Sequence, residues 1–467
     1  SLGRIVGGQF MEQRLICVLL SVLCAGILLS GCTRQDRPSS ESPVTLTMWH
    51  VYGSQTQSPL NTAIDEFNNT VGKQNGITVN VVSVTSSSAI DKALAASANQ
   101  EPGAEALPDL FTAYPRVAQI VGADRLLAWE QYFSAQELSE FKQEFLQEGY
   151  FGTKLLMLPS AKSTEAFFLN QTLFADFSAQ TGVSMEQLQS FEGLFAAANR
   201  YYDWSGGAHF TQINDYYHYA LVGMKAYGSD FVRDGKLQLR DPAFESIWMP
   251  LARAAIYGGI CLDDGYAAAR WKTVEIISNI GSTADILYQP DKVIYPDNTV
   301  RQIETVSMPY PLFREGTAGV VHRGGGLFAI RSSDLKKNYA AAVFAKWITE
   351  KENNLSFVTE AGYLPVVDAA FDRLVTEQEF VNDDNYRQLY QTASAMIREY
   401  SLYTIPVFHN ASDLQSRFEE SVKTVLKTAH TQYTERVQNG EDPQTVLTEL
   451  TDASLGELQK LFGEPEG

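Results

Sequence analysis

The sequence predicts an α/β fold, with mainly parallel sheets flanked by helices, and three observations carry that prediction. Between residues 44 and 121 strand-like and helix-like segments alternate, as parallel strands joined by helical crossovers do. The order returns from residue 155 onward with longer insertions and without any short sequence repeat. The last hundred residues are mostly helical, with Leu414, Phe418, Val422 and Leu426 spaced by four.

Taken in order, VTLTMW (44–49) reads as a first strand, followed by a loop and by Pro59 at a helix start. Leu60, Ile64 and Phe67 then fall on one helical face. Asn75-Gly76 breaks the chain, and Ile77, Val79 and Val81 alternate with polar residues as in a strand. Serines 86–88 can cap a helix over 90–96, PDLFTA (108–113) is a third strand, and a helix starts at Arg116. Residues 155–158 and 274–280 read as strands, and 167–177 as helix-like. A turn and helix start fall in 237–250. Gly324, Gly325 and Gly326 precede the apolar FAI. Ser332 and Ser333 can cap a helix whose Ala340, Phe344, Trp347 and Ile348 share a face, and Pro443 opens a final pair of helices.

The 467 residues are 45% hydrophobic and 19% charged, an ordinary globular balance with length for two or three domains or two large lobes. A formal net charge of −19 argues against nucleic acid, whose phosphates need Lys and Arg. It also argues against a chain lying flat on an anionic membrane. Cys17 and Cys24 lie in one apolar run, Cys32 ends it, and Cys261 stands alone, so no disulfide framework is implied.

That run, LICVLLSVLCAGILLS (15–30), is 16 residues long, short of the roughly 20 that span a bilayer. It ends in Leu29-Ser30-Gly31-Cys32, which resembles the bacterial lipobox. The resemblance implies a cleaved signal peptide and a diacylglycerol on the Cys32 thiol. Met11 is a credible start, with residues 1–10 upstream of it. TRQDRPSSESP (33–43) reads as a flexible tether, and no later segment approaches a membrane span. The expected location is outside the cytoplasm, lipid-anchored to the bacterial membrane.

Seven further segments resemble, in order, the extracellular solute-binding proteins of family 1, the maltose- and glycerol-3-phosphate-binding type. They are TMWHVYG with DEFN, LPDLFTAYPRVAQIVGADRLLAWEQYF, KLLMLPSAKSTEAFFLNQTLF, IISNIGSTADI, GGGLFAI, AKWITEKENNLSFVTEAGYLPV and NGEDPQTVLTELTDA. The resemblance implies a two-lobed periplasmic-binding-protein-like fold of type II, with the ligand in the cleft between lobes. Crossovers are expected near 159–163, 306–311 and 364–365. Lobe one would then be 44–162 with 307–365, and lobe two 163–306 with 366–467. The implied role is capture of a solute, most simply a sugar or oligosaccharide, by a monomer that delivers it to the permease of an ABC importer. No catalytic residue, metal or cofactor is expected.

Several loops should then face the cleft. Trp49, His50 and Tyr52 follow the first strand and Tyr114 the third, offering rings for apolar sugar faces. Ser163, Thr164 and Glu165 bring two hydroxyls and a carboxylate at the first crossover. Ser282 sits in a donor-rich turn, Gly325 permits close backbone approach, and Tyr363 in AGYLP matches a family position that touches ligand. The aromatic segment 201–219 could supply Trp204, Tyr216 or Tyr217 as a second-lobe wall. The alternatives are core packing for the aromatic residues, a helix cap for Ser163 and Thr164, a tight turn for the glycine run, and a packed helix face with a solvated loop for 201–219.

Relatives that hold glycerol phosphate use an arginine in the C-terminal lobe, whereas SLYTIPVFHNASDL has none, which favours a neutral carbohydrate. Two rivals remain open. Tyr216-Tyr217 beside His218 could ligate ferric iron, although no H-x-x-x-H or C-x-x-C spacing occurs. A surface glycosidase would need two carboxylates flanking a cleft. A sensory role would use the same fold.

Overall fold

The computed structural model describes residues 37–52, 58–377, 383–408 and 410–463. Cys32 and the apolar run before it lie outside the described residues. The stretch expected as a tether is partly ordered against the protein. Residues 39 and 42 form a bridge, Pro38 is buried, and Arg37 lies 5.0 Å over the Tyr339 ring.

The chain lays down β1 (Val44–His50), β2 (Ile77–Val84), β3 (Leu110–Ala113) and β4 (Leu158–Pro159) in a first sheet. It then builds a second sheet from β5 (Glu165–Asn170), β6 (Thr211–Ile213), β7 (Ile260–Cys261), β8 (Ser278–Ser282) and β9 (Thr305–Met308). After β10 (Gly319–Val321) it returns to the first sheet as β11 (Gly326–Ala329), and β12 (Ser401–Tyr403) later pairs with β10. The sheet orders are β2-β1-β3-β11-β4 and β7-β6-β8-β5-β9. In each, four strands run one way, and the strand second from one edge runs against them (β11 and β5). The two lobes are therefore mixed, mainly parallel α/β layers of the same design.

Local chemistry sets the helices. In α1 (Pro59–Asn69) the Ser58 hydroxyl accepts from the Asn61 N–H at 3.2 Å, and Pro59 fills the first position, where no N–H is needed. Ser86 caps α2 (Ser87–Ala98) as the sequence suggests. Asp215 caps α3 (Tyr216–Ala226), and Asp241 caps α4 (Pro242–Tyr257). α5 (Leu335–Thr349) is capped by Asp334, one residue beyond the expected serines. Ser332 instead accepts from the Asp334 N–H at 3.0 Å. α6 (Asp384–Glu399) packs on β9, where Gln388 accepts from the Ser307 N–H at 2.9 Å. α7 (Ala411–Gln438) and α8 (Pro443–Phe462) close the second lobe. The expected final pair of helices is thus one continuous helix after Pro443.

Two other expectations change. Residues 167–170 belong to β5, not to a helix; all six β5 residues are buried, so an apolar run replaces alternation there. The return crossing also comes later than 306–311. β9 pairs antiparallel with β5, and Tyr310 is buried in the second lobe's core, so the chain recrosses at 322–325. The first crossing, between β4 and β5, lies at 160–164. Leu364 pairs with Lys162 beside it, and Ser163 with Arg323.

Candidate functional site

Where the crossings meet, a cavity of about 480 Å³ opens between the lobes. The first lobe contributes the start of α2 and the loop after β3, with Tyr114 and Arg116. The second contributes Tyr217 and His218 from the first turn of α3, and Gln415 and Glu419 from α7. His322, Arg323 and Gly324 form the wall at the hinge.

Each group is held by others. Arg116 bonds Asp91 of α2 at 2.6 Å and lies 4.9 Å over one face of Tyr114, bracing that ring. Arg323 donates to Glu165 Oε1 at 3.1 Å. The same oxygen lies 2.9 Å from His218 Nδ1, and Asp215 Oδ2 lies 3.2 Å from that nitrogen. Asp215 also accepts from the His218 N–H at 2.8 Å as the cap of α3. Glu419 accepts from the Tyr217 N–H at 2.6 Å, so two carboxylates of the protein already occupy this helix N-terminus. Burial first, and Asp215 second, push the Glu419 carboxyl well above the usual range.

Behind this layer lies a second buried pair. Lys162, fully buried, bonds Glu148 and donates to the Gly324 carbonyl at 3.0 Å. Burial raises the Glu148 carboxyl, against the pull of Lys162. His322 meets Thr404 Oγ1 at 3.0 Å, and burial, reinforced by Lys162, drives its pKa down to about 3. At neutral pH His322 is uncharged.

The sequence-derived candidates divide. Tyr114 and Tyr217 line the cavity. Glu165, Ser163 and Thr164 sit at the hinge, but all three are buried in protein contacts: Thr164 Oγ1 donates to the Val321 carbonyl at 3.1 Å. Trp49 packs in the core of the first lobe. His50 is fully buried, with Nε2 2.6 Å from Asn61 Oδ1. Tyr52 packs edge-on to Tyr363 at 5.1 Å, and neither joins the cavity lining. Tyr216 is a core residue, and Trp204 bonds Gln180 away from the cleft. Ser282 caps the turn Thr283–Tyr288, accepting from the Ala284 N–H at 3.2 Å. The approach at Gly325 is to a strand: a Cβ there would stand 2.2 Å from the Ala113 carbonyl oxygen. Gly324, at φ +105°, takes a backbone conformation that other residues rarely adopt.

Sequence reading missed Glu419, Gln415, Asp215 and Arg323. The last stands directly before the glycine run, where a cation at the head of an apolar strand was a usable signal. Half-buried Asp285, bonded to Asn214 at 2.9 Å, also escaped notice; burial pushes its carboxyl up to about 6.

As for a metal, Glu165, Asp215 and His218 offer atoms within 4.8 Å of one another. Their closeness follows from the hydrogen bonds on Nδ1, and Arg323 already balances Glu165. Of the adjacent tyrosines, Tyr216 packs in the second lobe's core, while Tyr217 lines the cavity.

Two like α/β lobes with a polar cavity at their hinge define a binding protein whose ligand is enclosed between domains. The chain belongs to a family described as bacterial extracellular solute-binding protein, whose profile matches residues 62–387. No curated protein sequence matches it. Solved structures agree in fold. The cyclic α-maltosyl-1,6-maltose binding protein from Arthrobacter globiformis matches 90% of this chain and 100% of its own, at 17% identity and a TM-score of 0.62. Maltose-bound MalE3 of T. maritima matches 89% of this chain and 99% of its own, at 14% identity and 0.63. UgpB from Mycobacterium tuberculosis, in complex with glycerophosphocholine, does so over 89% and 99%, at 16% and 0.64. The chain is thus a solute-binding protein. Among the described residues no helix is long and apolar enough to cross a membrane.

Proposed function

We propose that this protein captures a neutral carbohydrate between its lobes and hands it to the permease of an ABC importer. It acts as a monomeric carrier without catalysis, anchored outside the cytoplasm through lipid on Cys32. The lobes would divide at the crossings near 160–164 and 322–325 and after Leu364. The observation that carries the reading is the make-up of the 480 Å³ cavity. One braced tyrosine ring faces hydroxyl, amide and carboxyl groups drawn from both lobes, the pairing a sugar needs for its apolar faces and its hydroxyls. Two of the similar structures are named for maltose or a cyclic maltosyl-maltose, which supports the same class.

A glycerophosphodiester is the second reading, favoured by Arg323 in the hinge wall and by the glycerophosphocholine complex. Against it, Glu165 neutralises that arginine, and Asp215 with Glu419 fills the helix N-terminus where a phosphate would bind. Titration calorimetry with maltotriose, mannotriose and glycerophosphocholine tests the choice. Saturable heat with a saccharide and none with glycerophosphocholine is expected. Heat with glycerophosphocholine alone would replace the first reading with the second.

A further inference from the structure

Two of the residues lining the cavity carry a buried side-chain nitrogen or oxygen that lacks a hydrogen-bond partner among the described residues: His218 Nε2 and His322 Nδ1. His322 Nδ1 has the Glu148 carboxylate 3.5 Å away. Among the described residues His218 Nε2 has no such neighbour, and its ring is 1% exposed. The other ring nitrogen is committed, since Nδ1 sits between Glu165 Oε1 at 2.9 Å and Asp215 Oδ2 at 3.2 Å. Carboxylates only accept, so Nδ1 carries a proton whichever charge the ring has. Arg323 fixes Glu165, and the helix cap fixes Asp215, so the ring is locked from behind.

We propose that His218 is a specificity-determining residue that reads a ligand hydroxyl through Nε2, with Glu165 and Asp215 as its positioning residues. This rests on the binding reading above and names the group that reading needs. A buried polar atom left unpaired is unfavourable, and with no partner among the described residues a ligand group entering the cavity would satisfy it. Neutral imidazole accepts at Nε2, and imidazolium donates there. A hydroxyl does both, whereas a phosphate or carboxylate can only accept and an ammonium can only donate. A hydroxyl therefore satisfies Nε2 in either charge state of the ring, whereas a phosphate, a carboxylate or an ammonium does so in one state only.

Long-range ¹H–¹⁵N spectra of the ligand-free protein test the orientation, with the His218 signals assigned by their loss in His218→Gln. A proton on Nδ1 is expected in the wild type, with a shifted tautomer signature in Glu165→Gln. A neutral ring protonated on Nε2 overturns the proposal. Calorimetry then tests the contact with maltotriose, mannotriose and glycerophosphocholine as probes. For whichever probe binds, His218→Leu should weaken affinity about tenfold, the scale of one buried hydrogen bond, and His218→Gln by less. Unchanged affinity in a His218→Leu protein with native-like spectra overturns the proposal. If no probe binds the wild type, the carbohydrate reading fails, and the ring spectrum alone decides this one.

Discussion

His50 shows how a polar residue of the first lobe is accommodated without reaching the cleft. Its Nδ1 accepts from the Tyr52 N–H at 3.2 Å, which requires a bare nitrogen, while Nε2 faces Asn61. Burial, only partly offset by Asn61, lowers its pKa from 6.5 to about 4. The unfolded chain therefore takes up a proton that the fold refuses. The stability held above pH 6.5 is lost as pH falls from 6.5 toward 4, on the order of 3 kcal/mol from this group. His322 acts in the same direction down to about 3, while Asp285, raised to about 6, opposes both between pH 6 and 3.8. Urea unfolding at pH 7 and pH 4.5 should show a smaller acid loss in His50→Gln than in the wild type. Equal losses would mean that His50 is not kept neutral by the fold. At this scale the sequence is an uneven guide. Tyr114 follows a legible strand and could be named in advance. The His218 environment could not, because Glu165, Arg323 and Glu419 come to it from 53 to more than 150 positions apart, as the Glu165–His218, Glu165–Arg323 and Tyr217–Glu419 contacts record.

Among the elements, the hinge strands stand out for what they bury. Lys162 and Glu148 form a pair with almost no solvent contact, held by the Gly324 carbonyl as well. Removing one partner strands the other charge, which typically costs about 3–5 kcal/mol, whereas removing both is far milder. Lys162→Met should lower the denaturation midpoint sharply, and Lys162→Met with Glu148→Leu should recover much of the loss. A double variant no better than the single one would show that the pair's geometry, not its charge balance, matters. Elements were legible where burial alternates, as in the first five residues of β1, and where a cap precedes a one-sided helix, as in α1 and α2. They were misread where both faces are covered. β5 has no exposed residue to mark its period, so its Phe167-Phe168-Leu169 passed for helix. Cap position was also soft, since Ser332 and Asp334 share the start of α5.

On the scale of the whole molecule, the cleft's walls belong to different lobes, while its floor is the hinge itself. Tyr114 stands on one lobe, His218 and Glu419 on the other, and His322 and Arg323 between them. Any ligand bridging these groups draws the lobes together. Small-angle scattering should therefore give a smaller radius of gyration once the titrated ligand is saturating; an unchanged radius would place that ligand on one lobe alone. The two-lobed plan was legible because seven segments kept a family's order. The return crossing was not, because a strand that leaves one sheet and a strand that joins the next share the same apolar pattern.

The reversed strand second from the edge of the first sheet has a temporal meaning. β11 lies between β3 and β4, yet more than 150 residues of the other lobe separate it from β4 along the chain. Until Gly326 has emerged, β3 and β4 lack the strand that hydrogen-bonds to both. The second lobe in turn waits for α7 and α8 at the far end of the chain. Neither half can therefore settle early, and nearly the whole polypeptide must be present before either core closes. Were the chain exported unfolded to the location proposed above, late closure would keep it pliable for as long as transit lasts.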